Sequence, residues 1–473
     1  MDTDMDYGDA HAVFAQEAAA MAQQQPAPPL DPDRKMLDLV FVQDCTGSQG
    51  SYIASATKNI EAICEHIFQS GKLLSREDLR VGLVAFRDHP PQDHTYITRN
   101  FGFSSDIAKV HRDLSGLYAS GGGDGPEAVT AALAEALRMD WRPTASKMIV
   151  LIADAPPHGI GEYGDGFDEG SPDGHDPLKL AREMAQQGIT LFFVACEPAL
   201  SGYSYATDFY NALTSLTSGL MLPLTTADLL AHAIVGSVLE NLDMERLVRE
   251  VGAAVAQRIL GNNESVDDVA RELHEKLLLR NESAKRVVIE SIYRESDEAT
   301  HNVHVFTNAQ TLAEARPLLK RVHGSRFTEK YLAARHSMNR GGYSSFYPAT
   351  PPRTPAKASS SPRSSLTGSP PRKVATDFAA FGAPKEASVF GTAVARSPFS
   401  LAGGKAAFGG MRNAGVRPTF DDDDDEDEDG MRLGGGMMDD DDGRQKIELR
   451  EESISLEQAR RIAMQSAWRG TRV

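Results

Sequence analysis

Four apolar runs constrain this chain more than any other feature: residues 37–43, 80–86, 147–153 and 189–195. Each is rich in Val, Leu, Ile and Phe and is too short to be a core helix. Between them lie stretches with apolar residues at helical spacing, 52–70, 127–137 and 177–187. The first carries Ile53, Ile60, Ile63 and Ile67. Near-continuous apolar strands alternating with helices predict a parallel sheet buried on both faces. Weaker strand candidates at 97–103 and 220–223 would extend it. The expected class is α/β, an open, doubly wound, mostly parallel sheet. Ligands of such sheets bind at the carboxyl ends of the strands.

Two of the runs deliver an acid to that end. The first reads LDLVFVQDCTGS and places Asp44, Thr46 and Ser48 in a D-x-T-x-S arrangement. The third, MIVLIAD, ends in Asp154. Between them GGGDGPEA, residues 121–128, opens a helix and contributes Asp124 and Glu127. Carboxylates and hydroxyls offer only oxygen donors, which hard divalent cations such as Mg²⁺ prefer. Cys45 lies inside the first loop, where nothing nearby signals an activated thiol, and it reads as a packed small side chain. Arg87, Asp88 and His89 end the second strand on the same side of the sheet. They either line a partner surface or form an ion pair that supports a loop. The Gly-rich stretch 159–176 follows Asp154 and holds several acids with His175. It reads either as a second cation site or specificity loop, or as a solvated acidic loop.

These segments, in this order, resemble a von Willebrand factor A domain with a metal-ion-dependent adhesion site. The resemblance covers residues 37–222. Thr46 stands where the commonest pattern has serine and keeps the hydroxyl. The second element departs further: in place of a Gly-Thr loop stands Gly-Asp-Gly-Pro-Glu, closer to the D-x-P-E segment of integrin β-subunit I-like domains. The resemblance implies a Rossmann-like α/β fold. It implies a Mg²⁺, Mn²⁺ or Ca²⁺ ion held by Asp44, Thr46, Ser48, Glu127 and Asp154, with Asp124 a ligand or a neighbour of one. It also implies a partner protein that offers a carboxylate to the metal. Three carboxylates on one ion would exceed its charge, so Asp154 is expected to act through water when a partner binds. The AFRDHPP and ADAPPHG contexts also resemble intracellular fungal and amoebal A domains, including those attached to alpha-kinases.

The rest of the 473-residue chain divides by composition. Residues 1–35 read as a flexible leader with a short helix at 11–24. Residues 36–225 make the A domain. Residues 226–338 turn helical: Leu229, Ile234, Val238 and Leu242 suggest a long helix running through Ile259 with a break, and Ser265 caps a helix over 266–279. Residues 302–307 alternate and suggest a strand. Residues 339–445 are rich in Ser, Pro, Gly and Asp, too poor in apolar surface to offset ordering entropy, and predict disorder. Within them Thr350, Thr354, Ser361, Ser369 and Ser397 each precede proline, as targets of proline-directed kinases do. Residues 446–473 are expected to form an amphipathic helix with a Ser455–Gln458 capping box, either a docking peptide or a helix that packs back on the body.

Charge and motifs narrow the function classes. The formal net charge is −18, and 13 acids sit in the two runs 421–429 and 439–442. The remainder is mildly acidic, which argues against generic nucleic-acid binding. Three cysteines at wide spacing argue against a disulfide framework. No run of about 18 apolar residues suggests a membrane span. The acidic N-terminus does not read as a secretory signal, so a cytoplasmic protein is expected, with the nucleus open. The Asn263 and Asn281 sequons then read as accidental. G-x-x-x-x-G-K-[ST], a nucleophile elbow, H-E-x-x-H and a kinase loop set are all missing from the sequence, so catalysis is not expected. A kinase-associated regulator and a scaffold with a vestigial metal site stay open beside the interaction module.

Overall fold

The computed structural model describes residues 34–341 and 445–471. Six strands form one sheet: β1 Leu37–Asp44, β2 Leu79–Phe86, β3 Thr98–Ser104, β4 Ser146–Ala153, β5 Ile189–Cys196 and β6 Met221–Leu224. Their order is β3-β2-β1-β4-β5-β6, parallel throughout except for β2–β3. The chain builds outward from β1 to one side, then returns through β4 to build the other. The order therefore reverses between β1 and β4, and a crevice opens at their carboxyl ends.

Helices α1 Gly50–Gln69, α2 Ile107–Ser115, α3 Val129–Leu137, α4 Pro177–Gln186 and α5 Ala206–Leu216 cover the sheet. The alternation of β1 divides the core. Leu37, Leu39 and Phe41 join Ile60, Ile63 and Ile67 of α1 in one cluster. Val40 and Val42 join Val129, Leu133, Leu178 and Phe209 in another. Both faces are covered, which is why the strands read as unbroken apolar runs. Each fully buried aliphatic side chain contributes about 1.5–3 kcal/mol.

The extension is less regular than its helical pattern suggests. Helix α6, Leu230–Ala256, packs beside α1 and ends in one π-helical turn, Gln257–Gly261. The capped helix α7, Val266–Leu279, follows, with the Ser265 hydroxyl accepting from the Asp268 N–H at 3.1 Å. A strand not expected there, β7 Ser283–Ile289, comes next. The strand expected at 302–307 is instead part of helix α8, Asp297–Asn308. Asn302, Val305 and Phe306 are its buried positions, spaced by three and four, so the same residues that alternate over six positions also form a helical stripe. Two short helices, α9 Leu312–Ala315 and α10 Glu329–Gly341, complete this part.

Residues 446–473, expected as helix, begin as strand β8, Ile447–Ser453, paired antiparallel with β7 from Ile289↔Ile447 to Ser283↔Ser453. Helix α11, Leu456–Gly470, follows and carries the expected Ser455–Gln458 capping box. It folds back: Ile454, Ala459, Ile462 and Ala463 share a cluster with Leu247, Val248, Leu273 and Leu277 of α6 and α7. The leader and most of the expected linker, with its five proline-directed sites, lie outside the described residues. No helix among the described residues is long and apolar enough to cross a membrane.

Candidate metal-ion centre

The site is built on three loops at the carboxyl edge. β1 ends in Asp44, which is fully buried. Its Oδ1 accepts from the Thr46 N–H at 2.8 Å and from the Thr46 hydroxyl at 2.7 Å. Its Oδ2 is buried and meets no donor among the described residues. Ser48, in the turn leading to α1, hydrogen-bonds Asp154, which follows β4 directly. Glu127 enters from the loop before α3, where its N–H donates to the Pro156 carbonyl at 2.9 Å and ties the second loop to the third. Glu127 Oε2 is also buried without a donor among the described residues.

The glycines that precede Glu127 are needed for this approach. Gly122 has φ +83°, and a Cβ there would lie 2.7 Å from Glu127 Oε1 and 3.4 Å from the Thr46 Cβ. Gly47 donates its N–H to the Gly121 carbonyl at 3.2 Å, which closes the first loop on the second. The result is an open cleft of about 430 Å³ lined by Thr46, Ser48, Asp124, Glu127 and Asp154, with Asp44 beneath Thr46. Tyr203 closes one side, its hydroxyl donating to the Gly125 carbonyl at 2.7 Å. The extension buttresses this wall: the Tyr293 hydroxyl donates to Glu197 Oε1 at 2.7 Å, and Arg326 pairs with Asp208 at 2.6 Å.

The electrostatics of the cleft are those of unbalanced negative charge. Burial, reinforced by Asp154, pushes the Asp44 carboxyl up to about 8 against the pull of the Thr46 bonds. Burial, then Asp44, Asp88, Asp124 and Asp154, push Glu127 up to about 10. Asp154 and Asp124 are raised as well, chiefly by burial. Such a cluster holds protons or takes up a cation. The two buried carboxylate oxygens without donors, in a set of oxygens only, fit a hard divalent ion.

Arg87, Asp88 and His89 are buried, so they support loops rather than form a surface. Arg87 donates to Thr95 Oγ1 at 2.8 Å and to the Tyr118 carbonyl at 2.9 Å. Its guanidinium lies 4.7 and 4.6 Å from the ring centroids of Tyr96 and Tyr118. It thereby braces the loop that leads to Gly121 and Gly122. The stretch 159–176 is not simply solvated. Asp165 is buried and accepts from the Gly159 and Phe167 N–H groups at 2.7 and 2.9 Å. His175, singled out in the sequence, is half-buried and lies 2.8 Å from Arg138. The buried histidine that meets this stretch's Asp165 is His158, held between Asp88 and Asp165. It was not identified from the sequence, although it stands four residues after Asp154 on the same loop. Cys45 is a packed thiol, pushed up to about 12 by burial.

The family model for the von Willebrand factor type A domain matches residues 38–219, from β1 to the turn before β6, including all three loops of the site. These residues form a von Willebrand factor A domain. The chain is similar to part of the alpha-protein kinase vwkA of Dictyostelium discoideum, 31% identical over 160 residues, 33% of this chain and 25% of that one. It is also similar to part of a putative ariadne-like RING finger protein R811 of Acanthamoeba polyphaga mimivirus, 27% identical over 194 residues, 40% of this chain and 18% of that one. The chain thus spans a quarter or less of the length of these relatives. Among solved structures, the pilus adhesin SpaC of Lactobacillus rhamnosus GG aligns with a TM-score of 0.34 at 14% identity, over 44% of this chain and 31% of that one.

Proposed function

We propose that the A domain is a metal-ion-dependent protein-interaction module. Asp44, Thr46, Ser48, Glu127 and Asp154 hold a divalent ion, Mg²⁺, Mn²⁺ or Ca²⁺, and the ion supplies an open coordination position for a carboxylate of a partner protein. The observation that carries this reading is the pair of buried oxygens, Asp44 Oδ2 and Glu127 Oε2, without donors among the described residues beside an open cleft. The chain's own residues set the geometry. Thr46 fixes Asp44, Gly122 lets Glu127 approach, and Ser48 holds Asp154, whose contribution then runs through water. One relative is named for a kinase and another for a RING finger, and the chain matches a quarter or less of each, which supports a binding role for the similar stretch rather than either activity.

The test is calorimetric titration of the full chain and of Asp44→Ala with Mg²⁺ and Mn²⁺, followed by partner capture with Mg²⁺ or with chelator. Partners are expected to need both the ion and Asp44, and Asp154→Ala is expected to weaken capture less than Asp44→Ala. Partners captured equally in chelator would reject the reading. The vwkA relative keeps a second reading, a kinase-associated regulator; phosphate transfer by the purified chain would favour it.

A further inference from the structure

A second group of donors lies beside the first site and shares only Asp124 with its cleft. Asp88, Asp124 and His158 each bring a donor atom within 4.8 Å of the other two. Asp88 is fully buried. Its Oδ1 accepts from the His89 N–H at 2.6 Å and lies 2.7 Å from His158 Nε2. Its Oδ2 is buried with no donor among the described residues, and so is Asp124 Oδ1. Asp124 Oδ2, by contrast, is engaged by the Gly166 N–H at 2.6 Å and by Gln92. Each carboxylate therefore has one oxygen fixed by the protein and one left over.

His158 explains the arrangement. Its Nδ1 lies 2.7 Å from Asp165 Oδ1, and its Nε2 lies 2.7 Å from Asp88 Oδ1. Both ring nitrogens are engaged by carboxylates, so neither is left to face a metal. It is an orienting group. Three carboxyls, Asp88, Asp124 and Asp165, thus surround one ring, and the Asp88 and Asp124 oxygens that are left over lie buried without a donor among the described residues.

We propose that Asp88 and Asp124 are direct ligands of a second hard divalent cation, with His158 positioning Asp88 and Asp165 positioning His158. The ion is Mg²⁺-, Mn²⁺- or Ca²⁺-like, since the free donors are oxygens. Asp124 and Glu127 share one short loop, so the second ion sets the loop that presents Glu127 to the first. Asp124 also lines the first cleft, so Asp88, which does not, is the residue that separates the second site from the first.

The experiment is a Mn²⁺ titration by calorimetry at moderate salt on the full chain, Asp44→Ala, Asp88→Asn and Asp124→Asn, each first shown to be folded by circular dichroism. The acidic runs are common to all four proteins and cancel in the comparison. The wild type is expected to bind one more equivalent than Asp88→Asn and one more than Asp44→Ala. Asp124 is partly exposed, so Asp124→Asn serves in place of Asp88→Asn should the latter not fold, and the same loss is expected. His158→Gln is expected to weaken the second equivalent roughly 10–100-fold, the range for an orienting neighbour. Unchanged stoichiometry in both Asp88→Asn and Asp124→Asn would overturn the second site, whatever Asp44→Ala does. A loss in Asp44→Ala alone would leave only the first site standing.

Discussion

Strand β1 carries a fully buried aspartate near each end, and the two are treated in opposite ways. Asp38, at the amino end, meets Arg80 at 3.0 and 2.7 Å and the Arg142 side chain and N–H at 2.8 Å each. Both its oxygens are used by cationic or backbone donors. Asp44, six residues on, has one oxygen tied to Thr46 and faces Asp154 and Asp88 where Asp38 faces arginines. The ion pairs of α6, which clasp α11 and the loop after α1, follow the first pattern: Glu240 pairs with Arg461 and Glu245 with Arg469 of α11, and Asp243 with Lys72. The lesson is that this chain pairs its buried acids with its own cations where they hold the fold together. At the carboxyl edge of the sheet Asp44 and Glu127 have no such cation, and each keeps a buried oxygen that meets no donor among the described residues, the feature on which the proposed metal site rests.

The contrast can be broken most sharply at the clasp. Arg461→Ala leaves Glu240 buried and unpaired and removes the bond to the Ser218 carbonyl. Unfolding in urea should show a loss of about 3–5 kcal/mol; a loss under 1 kcal/mol would mean that α11 is only loosely seated. Asp38→Ala comes next. Its arginines are about one-fifth exposed and regain water, so a loss of about 2–3 kcal/mol is expected in the same assay. Asp44→Asn should carry the opposite sign. In chelator it removes a carboxyl that burial, then Asp154, forces to hold its proton in the folded state, and should stabilise the protein at neutral pH by on the order of 1–2 kcal/mol. Equal destabilisation by Asp38→Ala and Asp44→Asn would dissolve the distinction between the two ends.

The smallest effect is in pH. Without a cation, Asp44 and Glu127 keep their protons in the folded state up to about 8 and about 10, whereas unfolded carboxyls lose theirs near 4. The folded chain binds more protons across that window, so its stability falls as pH rises through it. A divalent ion competes with those protons. The gain in melting temperature on adding Mg²⁺ should therefore be larger at pH 8 than at pH 6, and a larger gain at pH 6 would contradict the charge imbalance.

Much of this was legible in the sequence because burial on both faces leaves unbroken apolar runs, and because Asp44, Thr46, Ser48, Glu127 and Asp154 sit at strand or helix ends that local pattern marks. The failures have physical causes. The stretch 302–307 satisfies a period of two and a helical stripe at once, and the cap at Ser296 decides for helix. β7 and β8 are separated by more than 150 residues, and β8, with the sequence IELREES, is mostly exposed and charged. It gains strand character only by pairing. His158 and Asp165 carry no spacing signal, since their link to Asp88 spans from β2 to the loop after β4.

The most direct test is the midpoint of thermal unfolding of the full chain and of Asp44→Asn, each in chelator and in saturating Mn²⁺. The expected result is that the wild type melts below the variant in chelator and gains more than the variant when the ion is added. A variant that melts below the wild type in chelator and gains as much from the ion would show that Asp44 is an ordinary buried acid and not a ligand in waiting.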